Sequence, residues 1–126
     1  MQRYVKIGDL QVPAFFSGMR KDAAWDDRES KTITCEMPFD QARELFVNDA
    51  PWSIIEQADS YTVEDRDEEG NIINTTVVTP DPVELDNSEF CLAGDLTDHR
   101  DGTISAKMGK LTDLEEAYDL LYGGEL

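Results

Sequence analysis

The chain of 126 residues has one histidine, two cysteines and eleven basic residues against 28 acidic ones, and each shortage removes a class of function. With a single imidazole, His99, any Ser-His-Asp or Cys-His relay has one available base, and no serine stands in a G-x-S-x-G elbow. His99 lies in Thr97-Asp98-His99-Arg100-Asp101-Gly102, the approach to a turn, where a solvated imidazole is expected. No G-x-x-x-x-G-K or G-x-G-x-x-G loop occurs, so no phosphate cradle and no cofactor is expected. No apolar run approaches the roughly 18 residues of a membrane span. Met1-Gln2-Arg3-Tyr4 lacks the apolar stretch of a secretory signal, and the expected location is the cytoplasm. In that setting Cys35 and Cys91 read as reduced thiols packed as small apolar residues, not as a disulfide.

Carboxylates are the abundant chemistry, but 28 of them make any close pair uninformative, so no catalytic residue and no enzymatic activity is expected. Asp65, Asp67, Glu69 and Gly70 imitate the opening of a calcium loop with Ile72 at its apolar position. The twelfth position, which needs a bidentate acid, is Thr76, and no exiting helix follows. The segment reads as a charged hairpin tip. Asp95, Asp98 and Asp101 offer at most a weak, adventitious cation site, so no metal is expected.

The acids are unevenly placed. Of the net charge of −17, −12 falls in residues 56–101, where fourteen acids face Arg66 and Arg100 alone. Such a surface repels nucleic acid and anionic lipid and attracts a basic protein. The partner-facing residues are expected to be Asp59, Glu64, Asp65, Asp67, Glu68, Glu69, Asp81, Glu84 and Asp86. Trp25 and Trp52 stand beside charged or loop residues and serve either to close the core edge or to anchor an interface, a choice that burial decides.

The apolar content of 40% suits one core, and the whole chain, 1–126, reads as a single α+β domain. Short β-branched and aromatic runs predict strands over 4–7, 12–17, 32–36, 53–63, 72–79, 90–96 and 103–108. This makes the domain mainly antiparallel, with six or seven short strands and an acidic hairpin and loop region around 56–101. Glu69-Gly70-Asn71 and Asp101-Gly102 mark turns, and Thr79-Pro80-Asp81-Pro82 reads as a loop, because two prolines remove ladder donors. An internal helix opens at Pro38 or Asp40, puts Phe39, Ala42, Leu45 and Phe46 on one face, and ends at Asn48-Asp49-Ala50-Pro51. A C-terminal helix starts at a Thr112/Glu115 capping box and carries a stripe of Leu114, Ala117, Tyr118 and Leu121 before Gly123-Gly124 stops it. That stripe is expected to pack on the sheet.

Three segments carry a resemblance: Trp25-Asp26-Asp27-Arg28-Glu29-Ser30-Lys31; Leu45-Phe46-Val47 with Pro51-Trp52-Ser53-Ile54; and residues 87–103, from Asn87-Ser88-Glu89-Phe90 to Asp101-Gly102-Thr103. Together they cover about half the chain and resemble small proteins encoded by phages and prophages of Gram-positive (Firmicutes) bacteria. The resemblance brings no functional residues with it. It implies a phage product acting in the host cell. In that context the acidic region suggests an inhibitor that mimics nucleic acid and blocks a basic host defence nuclease, in the manner of anti-CRISPR or anti-restriction proteins. The alternative is a virion or tail and baseplate accessory protein. A third reading, a binder of nucleotide signals, would draw on Arg20, Lys21, Arg28 and Lys31.

Overall fold

The computed structural model describes residues 1–122. Nine strands, two α-helices and one 3-10 turn occur among them. They are β1 (Gln2–Ile7), β2 (Leu10–Asp22), the turn Ala23–Trp25, β3 (Arg28–Glu36), α1 (Phe39–Leu45), β4 (Trp52–Gln57), β5 (Tyr61–Arg66), β6 (Ile72–Val78), β7 (Val83–Asp86), β8 (Leu92–Asp98), β9 (Thr103–Gly109) and α2 (Asp113–Tyr122). The fold is α+β and mainly antiparallel.

Seven strands form one sheet in the order β7-β4-β1-β2-β3-β9-β8, while β5 and β6 pair only with each other. The long strand β2 joins the two halves of the large sheet. Its first residues pair with β1, from Ile7↔Leu10 to Tyr4↔Pro13. From Ala14 onward it pairs with β3. Both halves line one core: Val5, Ile7, Trp52 and Ile54 come from the first, and Ile33, Ile104, Ala106 and Met108 from the second. The alternation in β9, where Ile104, Ala106 and Met108 are buried between less buried neighbours, is the period-2 pattern of a strand with one face on the core. Helix α1 closes the core with Ala42 and Phe46 buried and Phe39 and Leu45 packed against them, as its spacing predicts. The outer strands β7 and β8 do not pair with each other, so the sheet does not close into a barrel.

Several elements differ from the sequence reading. The run 53–63 divides into β4 and β5, because the chain leaves the sheet after Gln57. There the Gln57 amide donates to Ala58 O (3.1 Å) and to Pro80 O (2.7 Å), tying off the corner. β7 has no forecast, being four residues long with two acids. β2 runs to 13 residues, well past the expected 12–17.

The C-terminal helix begins as its capping box requires: Glu115 N donates to Thr112 Oγ1 (3.3 Å) and Thr112 N to Glu115 Oε1 (2.8 Å). Its stripe, however, does not pack on the sheet. Leu114 is 81% exposed, Tyr118 63% and Leu121 63%, and Ala117 is exposed as well. The first turn of the helix is fixed to the body through Arg28. The expected stop at Gly123-Gly124 lies outside the described residues.

Candidate partner-binding arm

Between β4 and β7 the chain makes an antiparallel hairpin, β5–β6, that pairs with no other strand. Tyr61 lies opposite Val78, Val63 opposite Thr76 and Glu64 opposite Thr75, with a bulge between Asp65 and Arg66. Every residue of β5 and all but the last of β6 are exposed. The turn is built as the sequence suggests: the Asp67 carboxylate accepts from Glu69 N and Asn71 N, both at 2.9 Å. Gly70 adopts φ +86°, which glycine takes without strain. Those amides, Asn71's first, hold the Asp67 carboxyl below its ordinary range. Its oxygens therefore serve the turn, and no three of His, Cys, Asp or Glu gather as metal ligands among the described residues.

Five of the nine nominated acids, Glu64, Asp65, Asp67, Glu68 and Glu69, lie on this arm. Asp59 stands at its base. Asp81, Glu84 and Asp86 follow it, the last two on the edge strand β7. The structure thus brings all nine to the arm and its flank, but it does not leave them as a free anionic row. Glu64 pairs with Arg66 (2.8 Å), Glu84 with Lys6 (3.2 Å) and Asp59 with the N-terminal amine (3.2 Å). Asp86 caps the next turn by accepting from Ser88, whose hydroxyl and then amide lower its carboxyl. Asp65, Glu68, Glu69 and Asp81 have no cationic partner among the described residues.

Apolar side chains interleave with these acids. Tyr61, Val63, Ile72, Ile73 and Val77 are 42–68% exposed on the arm, and Val83 and Leu85 are exposed on β7. Sequence reasoning put the five arm residues in strands but could not see them unburied, because a β-branched run reads alike whether or not another layer covers it.

The two tryptophans separate by burial. Trp52 is 2% exposed, stacks at a tilt on Phe90 and donates its indole N–H to Phe90 O (3.1 Å), so it is a core residue and not an interface anchor. Trp25 is half-buried and lies flat against Gly94 and Gly109, where an added Cβ would sit 2.7–2.8 Å from its ring. The Arg28 guanidinium stacks on the same ring, 4.9 Å from its centroid.

Arg28 itself is a contact the sequence did not disclose. Its buried guanidinium forks onto both carboxylate oxygens of Glu115 (2.6 and 3.2 Å) and donates to Lys110 O, and this joins α2 to the sheet. Lys31 is likewise engaged, with Asn87 and over the Phe90 ring. Arg28 and Lys31 are therefore committed to the fold, and the nucleotide-binding reading keeps only Arg20 and Lys21. Asp22, held below the carboxylate range chiefly by Lys107, pairs with that lysine at 2.6 Å and accepts from Ser30. His99 is exposed, with Nε2 2.7 Å from Ser105 Oγ, which in turn meets Thr34 Oγ1. The nearby Asp101 carboxylate is turned to the Thr103 amide and hydroxyl, so it does not orient the imidazole. Cys35 and Cys91 form no disulfide, and Cys35 is buried, its pKa raised by that burial.

No protein-family model, curated protein or solved structure matches the chain.

Proposed function

We propose that the protein is a non-catalytic docking component that engages a partner protein through the β5–β6 arm and the adjoining edge of β7. In the context of the phage resemblance this is the role of a virion, tail or baseplate accessory protein. The observation that carries the reading is the arm itself: a two-stranded hairpin exposed along both strands yet bearing five exposed apolar residues. An isolated hairpin is marginal in water, and apolar residues held out on one are most economically explained by a surface that covers them.

A second reading, the nucleic-acid mimic that occupies a defence nuclease, is favoured by the acidic tip of Asp67, Glu68 and Glu69. It ranks lower because Glu64, Glu84 and Asp59 are neutralised locally, whereas a phosphate row requires uncompensated charge.

One pull-down from lysate of host cells producing the phage proteins, at low and high salt with mass-spectrometric identification, separates the two. The docking reading expects a phage structural protein that survives salt and is lost on Ile73→Lys with Val77→Lys. The mimic reading expects a basic nucleic-acid enzyme that salt releases, lost instead on charge reversal of Glu64, Asp65, Asp67 and Glu68. Capture of neither, or capture unaffected by both sets of changes, overturns the arm as the contact surface.

A further inference from the structure

Among the unpaired strand edges of the described residues, two have complementary chemistry. One is the outer edge of β6. Its sequence, Ile72-Ile73-Asn74-Thr75-Thr76-Val77-Val78, contains no charge, proline or glycine. β5 pairs with it on one side, and among the described residues no strand lies on the other. Sheet edges are ordinarily defended by lysine, proline, strong bulges or brevity, and β6 has only the single irregularity near Ile73. A β-branched, uncharged seven-residue strand of this kind is a strong candidate to add to another sheet.

The other edge belongs to β2. Its pairing with β1 stops at Tyr4↔Pro13. From Ala14 to Met19 its partner is β3, so the opposite side of residues 14–21 has no strand against it among the described residues. Where β1 and β2 part, a cleft of about 560 Å³ opens, bordered by Gln2, Arg3, Pro13, Phe15 and Phe16. Phe15 is 82% and Met19 55% exposed along this edge. It ends in Arg20 and Lys21, which have no acidic partner among the described residues, whereas seven of the other nine basic side chains pair with an acid.

We infer that these edges meet in a heterologous contact between two copies of the chain, with β6 of one adding antiparallel to residues 14–21 of β2 in the next. This rests on the arm being the docking element, and it names what the arm docks on. Antiparallel addition brings Val77 and Val78 toward Phe15 and the cleft, and Ile72 toward Met19. The acidic tip, Asp67, Glu68 and Glu69, then comes beside Arg20 and Lys21. In the reverse orientation the tip would lie over Phe15 and the two cations would face valines. The lengths agree, since seven residues of β6 face the eight of 14–21 at about 3.3 Å each. Because the two surfaces differ, each bound copy still offers one free edge, so the contact propagates into a ring or a filament unless the partner ends it.

The test is oligomeric state by sedimentation velocity, across concentration and salt, for the wild-type chain and two variants. One carries Ile73→Lys and Val77→Lys, the other Arg20→Glu and Lys21→Glu. All the changed side chains are exposed, and the near-ultraviolet signal of buried Trp52 checks that each variant is folded. The expected result is salt-weakened self-association of the wild type and at least about a tenfold loss in each variant alone. An equimolar mixture of the two is expected to recover a one-to-one complex, since the first keeps an intact β2 edge and the second an intact arm. A wild type that stays monomeric at all concentrations overturns the inference while leaving the arm free to dock on a different protein. Self-association that the arm variant leaves unchanged, or a mixture that recovers nothing, overturns it as well.

Discussion

At the scale of the residue, the Arg28–Glu115 pair does more than its position suggests. The guanidinium is buried under Trp25, and its fork holds the carboxyl of Glu115 down to about 2 from an ordinary 4.5, assisted by the Thr112 amide. The folded chain therefore binds this proton less readily than the unfolded one. The pair stabilises the fold fully above about pH 4.5 and loses that contribution as pH falls toward 2. Glu115→Gln is expected to cost about 1–2 kcal/mol at neutral pH, between the small value of an exposed pair and the larger one of a buried pair, since the carboxylate is 41% exposed and Arg28 is not. Urea denaturation of both proteins from pH 6 to pH 2 checks this, the gap between them closing as the solution is acidified. The sequence displayed half of this arrangement. The capping spacing of Thr112 and Glu115 is local and readable, but the fork from Arg28 spans 87 positions and depends on how the sheet is folded.

At the scale of the element, patterning told helix from strand but not which surfaces find a cover. α1 and α2 carry similar apolar stripes. In α1 the stripe meets the core, with Ala42 fully buried, whereas in α2 it faces out. Leu114→Ala is accordingly expected to change stability by less than about 0.5 kcal/mol, against about 3–5 kcal/mol for Phe90→Ala in the core, as read from denaturation midpoints. Strand periodicity meets the same limit: β9 and β6 are both β-branched or apolar runs, yet one is sandwiched and the other stands free. The break between β4 and β5 was illegible because the corner is made by a side chain, Gln57, reaching Pro80 across 23 positions. β7 is a strand only because β4 offers it an edge.

At the scale of the whole molecule, the net charge of −17 outweighs its ion pairs, so repulsion among the 28 acids works against compactness at low ionic strength. Raising salt from about 0.02 to about 0.5 M is expected to raise the urea midpoint of the monomer even as it screens the Arg28 and Lys107 pairs. A fall in the midpoint would mean that the local pairs dominate. The concentration of charge in residues 56–101 was legible by counting alone, since charge density requires no knowledge of topology, and nine of those acids lie on the arm and its flank. What it could not assign was use: Asp67 and Asp86 shape turns, Glu64 and Glu84 answer nearby cations, and only a few acids remain open to a partner.

The two ends of the arm return to the same place. β4 and β7 are hydrogen-bonded neighbours, with Glu56 opposite Val83, so the chain leaves the sheet and re-enters it one strand spacing away. To the core, everything between those points amounts to one overgrown hairpin turn. The arm can therefore change in length and sequence without disturbing the layers beneath it, leaving its surface free to diverge quickly while the scaffold stays fixed. It is equally the place where a foreign epitope or a shorter turn could be spliced in by design.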